Sequence, residues 1–425
     1  MRPAPRATRG FFPLDEELAL LPGELTPRLV EGLVRLSTWL PFAPAAQMLG
    51  HFTRVTVSEA TARRRTEQAG AAYVAVQTAT VEALERGQEQ STPVGPALQQ
   101  VSVDGAMVPL VHREWAEVKT LAIGTVGEPV WKDDEWRVHT GDLSYFSRLA
   151  DHETFGRLAT VETERRGVAT AGTVVGVVDG AEWEQQFFDL HRPDAVRVLD
   201  WGHAAEYLVA AGQALFGRGT PAVSAWLGEQ LHALKHGDPQ TVLDELRRQR
   251  DHLVARGDDG GAALEVVAAS LAYLEKRQQQ IRYAEFQTQG YPIGSGAVES
   301  ANKLVVEARL KGAGMHWTRE HVNPLVALRT IVCSDRWEEA WPLIVTQLRQ
   351  EARQARRRRA ERCHLRRTAA TVRVAVAASP PAPVVPRPAA LAATTPVTPA
   401  AMAVARPWRP AADHPWRRSL NLARR

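Results

Sequence analysis

The four residues VDGA occur twice, within ALQQVSVDGAMVPLV at residues 97–111 and within AGTVVGVVDGA at residues 171–181. In each stretch a run rich in β-branched residues leads directly into an aspartate followed by glycine, Asp104 in the first and Asp179 in the second. Asp-Gly between strand-forming residues is a strong signal for a two-residue hairpin turn. The alternative is that each aspartate ends a strand and projects into the crevice where open α/β sheets place functional groups.

The residues that follow the two aspartates separate these interpretations only in part. VSV before Asp104 and AMV after Gly105 fit a hairpin well. GAEWEQQF at 180–187 resembles the start of a helix, which favours the strand-end interpretation for Asp179. Both interpretations remain open for Asp104.

The surrounding segments predict an α/β fold. Three strands come first, followed by a helix, a fourth strand, a short helix from Glu182, a fifth strand and another helix. The strand segments are ALQQVSVDGAMVPLV, EWAEVKTLAIGTVG (114–127), EWRVHTGDLSY (135–145), AGTVVGVVDGA and DAVRVLDWGH (194–203). This βββαβαβα order is typical of a mixed five-stranded sheet with helices on its faces.

Composition and periodicity divide the chain into six segments. They are an irregular segment 1–25, a helical domain 26–92, a first part of the α/β core 98–219, a helical insertion 220–287, a last part of the core 288–350, and a tail 351–425. The tail is rich first in Arg and then in Ala and Pro, and ten of the 27 prolines lie in 380–415. This composition predicts disorder.

Charge is distributed unevenly along the chain. Residues 351–425 carry 16 Arg against three acids, a net charge of +13, which leaves −9 for residues 1–350 out of a total of +4. RQARRRRAERCHLRR at 353–367 holds eight of these arginines. A solvated arm is one interpretation, and a phosphate-binding arm is the favoured one.

Cysteine content and hydropathy indicate a cytoplasmic protein. The two cysteines, Cys333 and Cys363, exclude a disulfide framework and a cysteine-only zinc site. No apolar run reaches the ~18 residues that a membrane span requires. The start MRPAPRATRG has no apolar core of the kind that secretory signals need.

The helical domain includes a candidate DNA-binding motif. TPRLVEGLVRLSTWL (26–40) and PFAPAAQMLGHF (41–52) have apolar residues at helical spacing, and a turn is predicted near Gly50. The next helix has Ser58 as its predicted N-cap and carries Arg63, Arg64 and Arg65. This pattern resembles a helix-turn-helix. Two packed helices with an exposed basic face fit it equally well.

A third candidate acid lies in GYPIGSGAVESANKLVVEARLKGAGMHW at 290–317. The glycines predict a tight turn followed by a helix from about Ala297, with Glu299 in its first turn. A carboxylate there is also favoured by the helix dipole alone, so a structural role is the alternative. An i,i+4 ion pair with Lys303 is expected.

Asp200 and His203, in VLDWGHAAEYL at 198–208, are a further candidate pair. Asp-x-x-His at the end of a strand can bind a metal or orient a neighbouring group. A histidine near a helix start is often structural, so both interpretations remain open.

Two strand-borne aspartates with a helix-borne glutamate predict a carboxylate site for two Mg²⁺ ions, for which Mn²⁺ can substitute. Two such ions roughly 3.5–4 Å apart activate a water or hydroxyl and stabilise the leaving oxygen in phosphodiester chemistry. Without ions, carboxylates this close repel one another, so protonation or disorder is expected.

Several of these motifs together resemble bacterial insertion-sequence transposases of the ISKra-four type, within the Mutator-like group of DDE transposases. The matching segments are GSGAVESANKLVVEARLKGAGMHW (294–317), VSVDGAM (101–107), VVDGAEW (177–183), LDWGH (199–203) and FFPLDEELAL (11–20). The resemblance covers about residues 10–345 and is most specific at 290–317. It implies a ribonuclease-H-like core with a helical insertion before the last acid.

Carried over residue by residue, the resemblance implies a metal-binding triad of Asp104, Asp179 and Glu299. LDWGH matches the Cys/Asp-x-x-His signature that follows the second aspartate in the group. Asp179 is therefore preferred over Asp200 as the second ligand, although both end a predicted strand.

The resemblance also implies an enzyme that cuts transposon ends and joins them to target DNA, as a homodimer or higher assembly bound to double-stranded DNA at the nucleoid. DNA contacts are predicted for Arg63, Arg64, Arg65, Lys303, Arg309, Lys311, Trp317, Arg356, Arg357, Arg358 and Arg359. The alternative function is an inactive remnant that binds DNA or represses. A structure-specific nuclease on the same core is less supported.

Overall fold

The computed structural model describes residues 25–88, 93–132, 135–257 and 261–377. The strands are β1 Leu98–Pro109, β2 Trp115–Val126, β3 Val130–Lys132, β4 Glu135–Arg137, β5 Thr140–Arg148, β6 Thr173–Val178 and β7 Val196–Leu199. The first helices are α1 Pro27–Trp39, α2 Phe42–Thr53, α3 Glu59–Glu85, α4 His152–Arg165, α5 Glu182–His191 and α6 Trp201–Phe216. The later helices are α7 Pro221–His236, α8 Pro239–Ala255, α9 Ala262–Lys276, α10 Tyr283–Thr288, α11 Gly296–Ala301, α12 Ala308–Leu310, α13 Arg319–Cys333 and α14 Trp337–Ala377.

Five strands form one mixed sheet in the order β5-β2-β1-β6-β7. β1 and β5 are antiparallel to β2, whereas β6 is parallel to both β1 and β7. The predicted α/β class and five-stranded mixed sheet are confirmed. The two parallel pairs join strands that are connected through helices, as parallel pairing requires.

The third predicted strand is divided in two. EWRVHTGDLSY contributes β4, which pairs only with β3 in a separate two-stranded hairpin, and then the start of β5. Trp131 and Trp136 occupy directly paired backbone positions in the hairpin. The sequence pattern did not resolve this short addition between β2 and β5.

β1 continues without a break through Asp104 and Gly105, which pair with Thr120 and Lys119 of β2. The hairpin interpretation of the first VDGA is therefore wrong. Asp104 also does not end its strand, because β1 extends well beyond its parallel pairing with β6, which runs from Leu98 to Val101. Asp104 therefore lies within β1, beyond the last residue that pairs with β6.

The N-terminal helices begin and turn for local reasons. Ser58 accepts a hydrogen bond from the Thr61 amide at 3.2 Å, which confirms it as the N-cap of α3. Gly50 lies inside α2, and the chain leaves that helix at Arg54, which has a left-handed φ of 59°. The turn therefore comes four residues later than predicted.

These helices share a hydrophobic core with the sheet. Leu33 and Leu49 belong to the same buried cluster as Val108 of β1 and Val298 of α11. Within the described part of the chain, residues 25–361 belong to one compact unit. The segment predicted as a helical domain at 26–92 therefore packs against the core, because apolar residues of α1 to α3 cover the sheet and α11.

The helical insertion has a second core of its own. Leu243 of α8 and Leu271 of α9 pack in one cluster with Val177 of β6 and Val198 of β7. The insertion extends from Pro221 to Thr288, close to the predicted 220–287. It is thus joined to the parallel edge of the sheet by continuous apolar packing.

The segment after the insertion is held by buried arginines. A π-helical stretch, Asn302–Glu307, follows α11 directly. Arg329 of α13 donates to the carbonyl oxygen of Val305 in this stretch at 3.4 Å and to that of Thr38 at 3.0 Å. Arg309 donates to the carbonyl of Ser37 at 3.1 Å. Two guanidinium groups thus supply the hydrogen bonds that the end of α1 and the π-helical stretch lack.

The C-terminal helix is longer than the sequence indicates. α14 extends through the Arg-rich run to residue 377, which corrects the prediction that disorder begins at 351. Predictions for residues 1–24, including FFPLDEELAL, and for the Ala/Pro-rich tail beyond 377 lie outside the described residues. Within the described part of the chain, every helix is too short or too polar to cross a membrane.

The contact between α3 and α13 gives a test of this packing. A methyl group at Gly70 would lie 2.0 Å from the carbonyl oxygen of Pro324. We expect Gly70→Ala to lower the free energy of unfolding by about 1–3 kcal/mol, because the two backbones must separate. Urea denaturation followed by circular dichroism measures the change.

Gly228→Ala is the matched control, because Gly228 lies in α7 with nothing within 4 Å of the added methyl group. Alanine there should stabilise the protein by about 0.5–1 kcal/mol. Equal effects of the two substitutions would contradict the close approach of α3 and α13.

Candidate functional site

The parallel strands set three aspartates in a row. Val101 pairs with Gly176 and Val178 pairs with Leu199. Three residues further along β1 and β6, the same register brings Asp104 beside Asp179. Asp200 follows Leu199 at the end of β7 and lies next to Asp179 in turn. Three neighbouring carboxylates therefore lie at the C-terminal ends of β6 and β7, one within β1 and one directly after each of the other two strands.

Asp104 is partly buried and oriented by two hydrogen bonds. Its Oδ1 accepts from the Gly105 amide at 2.6 Å, and its Oδ2 accepts from the Asn302 side chain at 2.8 Å. Burial raises the pKa of Asp104, and the negative charges of Asp179 and Glu299 add to the rise, whereas the two hydrogen bonds oppose it. The three acids are thus close enough for their negative charges to act on one another.

Glu184, on the first turn of α5, joins the two aspartates. One carboxylate oxygen each of Asp104, Asp179 and Glu184 lies within 4.8 Å of the others. Glu184 is only 1% exposed, and its Oε2 accepts from the amides of Gly180 and Ala181 at 2.9 and 3.0 Å. Burial, together with the hydrogen bond to Asp179, raises the pKa of Glu184 to about 10. Glu184 is therefore a neutral acid at physiological pH.

The loop that carries Asp179 is held by the helical insertion. Tyr273 of α9 donates to the carbonyl oxygen of Asp179, and Arg277 donates through Nε to that of Gly180 at 3.1 Å. Gly180 has a φ of +88°, and a Cβ there would lie 2.3 Å from Arg277 Nε. Glycine is required for both reasons. Ala181 then donates back to Asp179 Oδ1 at 3.0 Å.

Glu299 is exposed on α11, and its negative charge is close enough to contribute to the raised pKa of Asp104. It accepts a hydrogen bond from Ser295 at 2.8 Å, and the expected ion pair with Lys303 is not formed. The π-helical stretch that starts at Asn302 shifts Lys303 out of the i,i+4 position of a regular α-helix.

One cavity of about 240 Å³ collects these groups, and we call it the acidic cavity. Its ionisable lining residues are Asp104, Asp179, Asp200, Glu206, Glu299 and His203. The three acids predicted from sequence therefore lie around a single space, although they are separated by 195 residues of chain. Asp104 and Asp179 have carboxylate oxygens within 4.8 Å of each other and can share one cation, and Glu299 lines the same space.

Asp200 has a structural task that competes with metal binding. Its Oδ2 accepts from the His203 amide at 2.8 Å as the N-cap of α6, and its Oδ1 accepts from the Ser295 amide at 2.6 Å. Both oxygens thus bind backbone amides, and Asp200 fixes the turn before α11. His203 lies edge-on to Tyr207 and Tyr273, with Nδ1 3.6 Å from Glu206. This arrangement favours Asp179 over Asp200 as a ligand.

Of the residues predicted to contact DNA, some are buried in the protein and others lie on its surface. Arg309 and Trp317 are buried, and the Arg309 guanidinium lies over the Trp317 ring, 5.4 Å from its centroid. Trp317 also donates to the carbonyl of Leu310 at 3.0 Å. Burial at 2% and 9% exposure corrects the prediction that these two residues contact DNA. The sequence pattern around Arg309 and Trp317 therefore reflects the packing of α12 against α2.

The other predicted cations lie on the surface. Lys303 and Lys311 are exposed, and Lys311 pairs with Glu307 at 2.6 Å. On α3, Arg63 and Arg64 are exposed and Arg65 is half-buried. On α14, the side chains of Arg356, Arg357, Arg358 and Arg359 are all exposed.

Sequence reasoning missed four side chains that shape the site. They are Glu184, Asn302, Tyr273 and Arg277. Only Glu184 left a signal, because a glutamate at the third position of a helix is typical of a capping interaction. The others act across 94 residues or more of chain, so no local pattern predicts them.

The raised pKa of Glu184 predicts a pH dependence of stability. Between about pH 4.5, the ordinary pKa of a glutamate, and about pH 10, Glu184 is protonated in the folded protein and ionised in the unfolded chain. The free energy of unfolding should therefore fall as pH rises through this window, by up to about 1.4 kcal/mol per pH unit. Glu184→Gln removes the titration and keeps both accepted hydrogen bonds. We expect its stability advantage over the parent to grow from pH 5 to pH 9 in chelator.

Glu182→Gln, two residues earlier on the same helix, is the control. Glu182 is exposed and its pKa is lowered by a hydrogen bond from Lys276, so its charge does not change between pH 5 and 9. Urea unfolding at each pH measures all three proteins. Parallel pH profiles for the parent and Glu184→Gln would contradict a neutral Glu184.

Comparison of the chain with protein-family models and with curated proteins finds no match. The interpretation of the acidic cavity therefore depends on its own residues. Five carboxyl groups line one small space, among them those from β1, the β6–α5 loop and α11, and the neutral carboxyl group of Glu184 supports Asp179.

Proposed function

We propose that this chain is a metal-dependent DNA transposase that cuts transposon ends and transfers them to target DNA. The observation that carries the proposal is the convergence of Asp104, Asp179 and Glu299 on one cavity of about 240 Å³. The order of strands and the helical insertion before the last acid are compatible with the ribonuclease-H-like core that the motifs of the sequence imply.

The residues of the acidic cavity suit hard divalent cations. Carboxylate oxygens are the ligands that Mg²⁺ prefers, and Asp104 and Asp179 offer them within 4.8 Å of each other. Each Asp104 oxygen accepts one hydrogen bond and keeps a second lone pair. Burial raises the pKa of Asp104, the negative charges of Asp179 and Glu299 add to the rise, and a bound cation would relieve this repulsion between the charges. The donor set contains only oxygens, which fits Mg²⁺ or Mn²⁺.

In this proposal Asp104, Asp179 and Glu299 hold the ions, with Asp179 as the central ligand. Bound there, Mg²⁺ would supply Lewis-acid stabilisation of the phosphodiester oxygens. Asn302 fixes the rotamer of Asp104, and Glu184 fixes the loop behind Asp179. Ser295 orients Glu299 from the preceding turn. These contacts hold the ligands in place before substrate binds, which is what metal-assisted phosphoryl chemistry requires of a protein.

DNA cleavage tests the proposal. We expect the purified protein to nick or join DNA that carries the terminal inverted repeats of its element, in Mg²⁺ or Mn²⁺ and not in chelator. Asp104→Asn should reduce product to background, because it removes a ligand charge and keeps the shape of the side chain. Gel analysis of labelled DNA measures both.

Asp251→Asn is the control for the same loss of charge, because Asp251 lies on α8 with its side chain 65% exposed and outside the acidic cavity. It should cut like the parent. If Asp104→Asn also cuts like the parent, the assignment of the acidic cavity as catalytic is wrong.

A second candidate function is DNA binding without catalysis, as a repressor or inactive remnant. The observation that favours it is the set of exposed cations on α3 and α14, which lie outside the acidic cavity: Arg63, Arg64, Arg356, Arg357, Arg358 and Arg359. Binding that weakens steeply with salt, without metal-dependent cleavage, would support this function over the first.

A further inference from the structure

A second cavity adjoins the acidic one and differs from it in charge. It has a volume of about 580 Å³, and we call it the basic cleft. Arg137, His139 and Lys235 line it, and none of its described lining residues is acidic. The acidic cavity next to it has five carboxyl groups in its lining.

Two stretches of chain form walls common to both spaces. Trp201 lines the basic cleft, whereas its neighbours Asp200 and Gly202 line the acidic cavity. In the same way, Gly294, Gly296, Ala297 and Ser300 face the cleft, and Ser295, Val298 and Glu299 face the acidic cavity. The same two stretches of chain therefore stand between the two spaces, and a polymer bound at the acids would pass over them to reach the basic cleft.

The cleft offers aromatic surfaces as well as cations. Trp201 and Tyr291 are both half-buried in its lining. The Trp201 ring is fixed edge-on against Tyr283, with centroids 5.2 Å apart, and the Trp201 amide donates to the carbonyl of Ile293 at 2.9 Å. Cationic side chains that follow a backbone, combined with rigid aromatic faces for bases, are the chemistry that binds single-stranded nucleic acid.

The floor of the cleft is rigid. Gln100 of β1 is buried and receives a hydrogen bond from Thr140 at 2.5 Å. It donates to the carbonyl of Gly294 at 3.4 Å and to Ser102 at 3.1 Å. Because Asp104 projects from the same strand and on the same side as Gln100 and Ser102, the cleft and the acidic cavity keep a fixed spacing.

We propose that the basic cleft binds unpaired nucleotides of the DNA strand that continues from the bond held in the acidic cavity. The inference rests on the proposed function and adds where, and in which state, the substrate lies. A volume of about 580 Å³ is that of a small-ligand pocket, so it takes one or two nucleotides rather than a duplex. The strand must separate from its complement there, with at least one base against Trp201 or Tyr291.

Binding without catalysis tests the proposal. We would measure fluorescence anisotropy of a labelled single-stranded oligodeoxynucleotide and of the matching duplex, in chelator, with the Asp104→Asn protein as the parent. The double variant Arg137→Gln with Lys235→Gln should bind the single strand about tenfold or more weakly. Its salt dependence should fall by about 0.7 per lost phosphate contact.

The control is Arg218→Gln with Arg250→Gln, an equal loss of charge at exposed or half-buried positions of the insertion outside the cleft. It should change binding by less than about twofold. Tyr291→Leu should weaken single-strand binding by about fivefold or more without changing the salt dependence, and should leave duplex binding unaffected. Circular dichroism checks that each variant is folded.

Equal losses in the cleft and control variants, or equal effects on duplex and single strand, would overturn the proposal. Cross-linking from 4-thiothymidine in the strand gives a measurement that needs no variant, and the product is expected at residues 291–300. Cross-links only to α3 or α14 would also overturn it. These binding measurements do not depend on cleavage. Single-strand binding in the cleft can therefore be shown even if the protein does not cut DNA, and can be excluded even if it does.

Discussion

The parallel pairing of β1 with β6 is the constraint on which the site depends. It sets the carboxylates of Asp104 and Asp179 side by side, where their charges repel and burial adds a further cost. Sheet packing fixes this arrangement, because the strands beneath are among the most buried in the protein. The site is therefore destabilised locally and held by the rest of the fold, as is typical of functional sites.

The helical insertion and the N-terminal helices support this arrangement of carboxylates from opposite sides. The helical insertion binds the backbone of Asp179 and Gly180 through Tyr273 and Arg277, and it packs on β6 and β7. The N-terminal helices pack on α11 and share buried arginine contacts with the π-helical stretch after Glu299. The insertion and the N-terminal helices thus serve as supports for the acids.

The sequence predicts the elements that depend on local pattern. The α/β class, the five-stranded sheet, the Ser58 cap and the bounds of the insertion follow from periodicity, caps and turns. The two VDGA stretches follow directly on the parallel pairing of β1 with β6, and both aspartates line the acidic cavity, as the strand-end interpretation of the repeat predicts for Asp179. The predictions that were wrong concern residues whose positions depend on tertiary contacts. Asp104 lies inside a strand because β1 pairs with β2 on both sides of it. Arg309 and Trp317 are buried because α2 covers them. The roles of Glu184, Asn302 and Arg277 can be identified only from the folded structure.

The most direct measurement is the position of a bound ion. Crystals of the protein soaked in Mn²⁺ and measured at the manganese absorption edge would reveal ions by anomalous scattering. We expect a peak coordinated by oxygens of both Asp104 and Asp179, with Glu299 nearby. A structure with ordered carboxylates and no peak among these residues, at Mn²⁺ concentrations that bind elsewhere on the molecule, would contradict it.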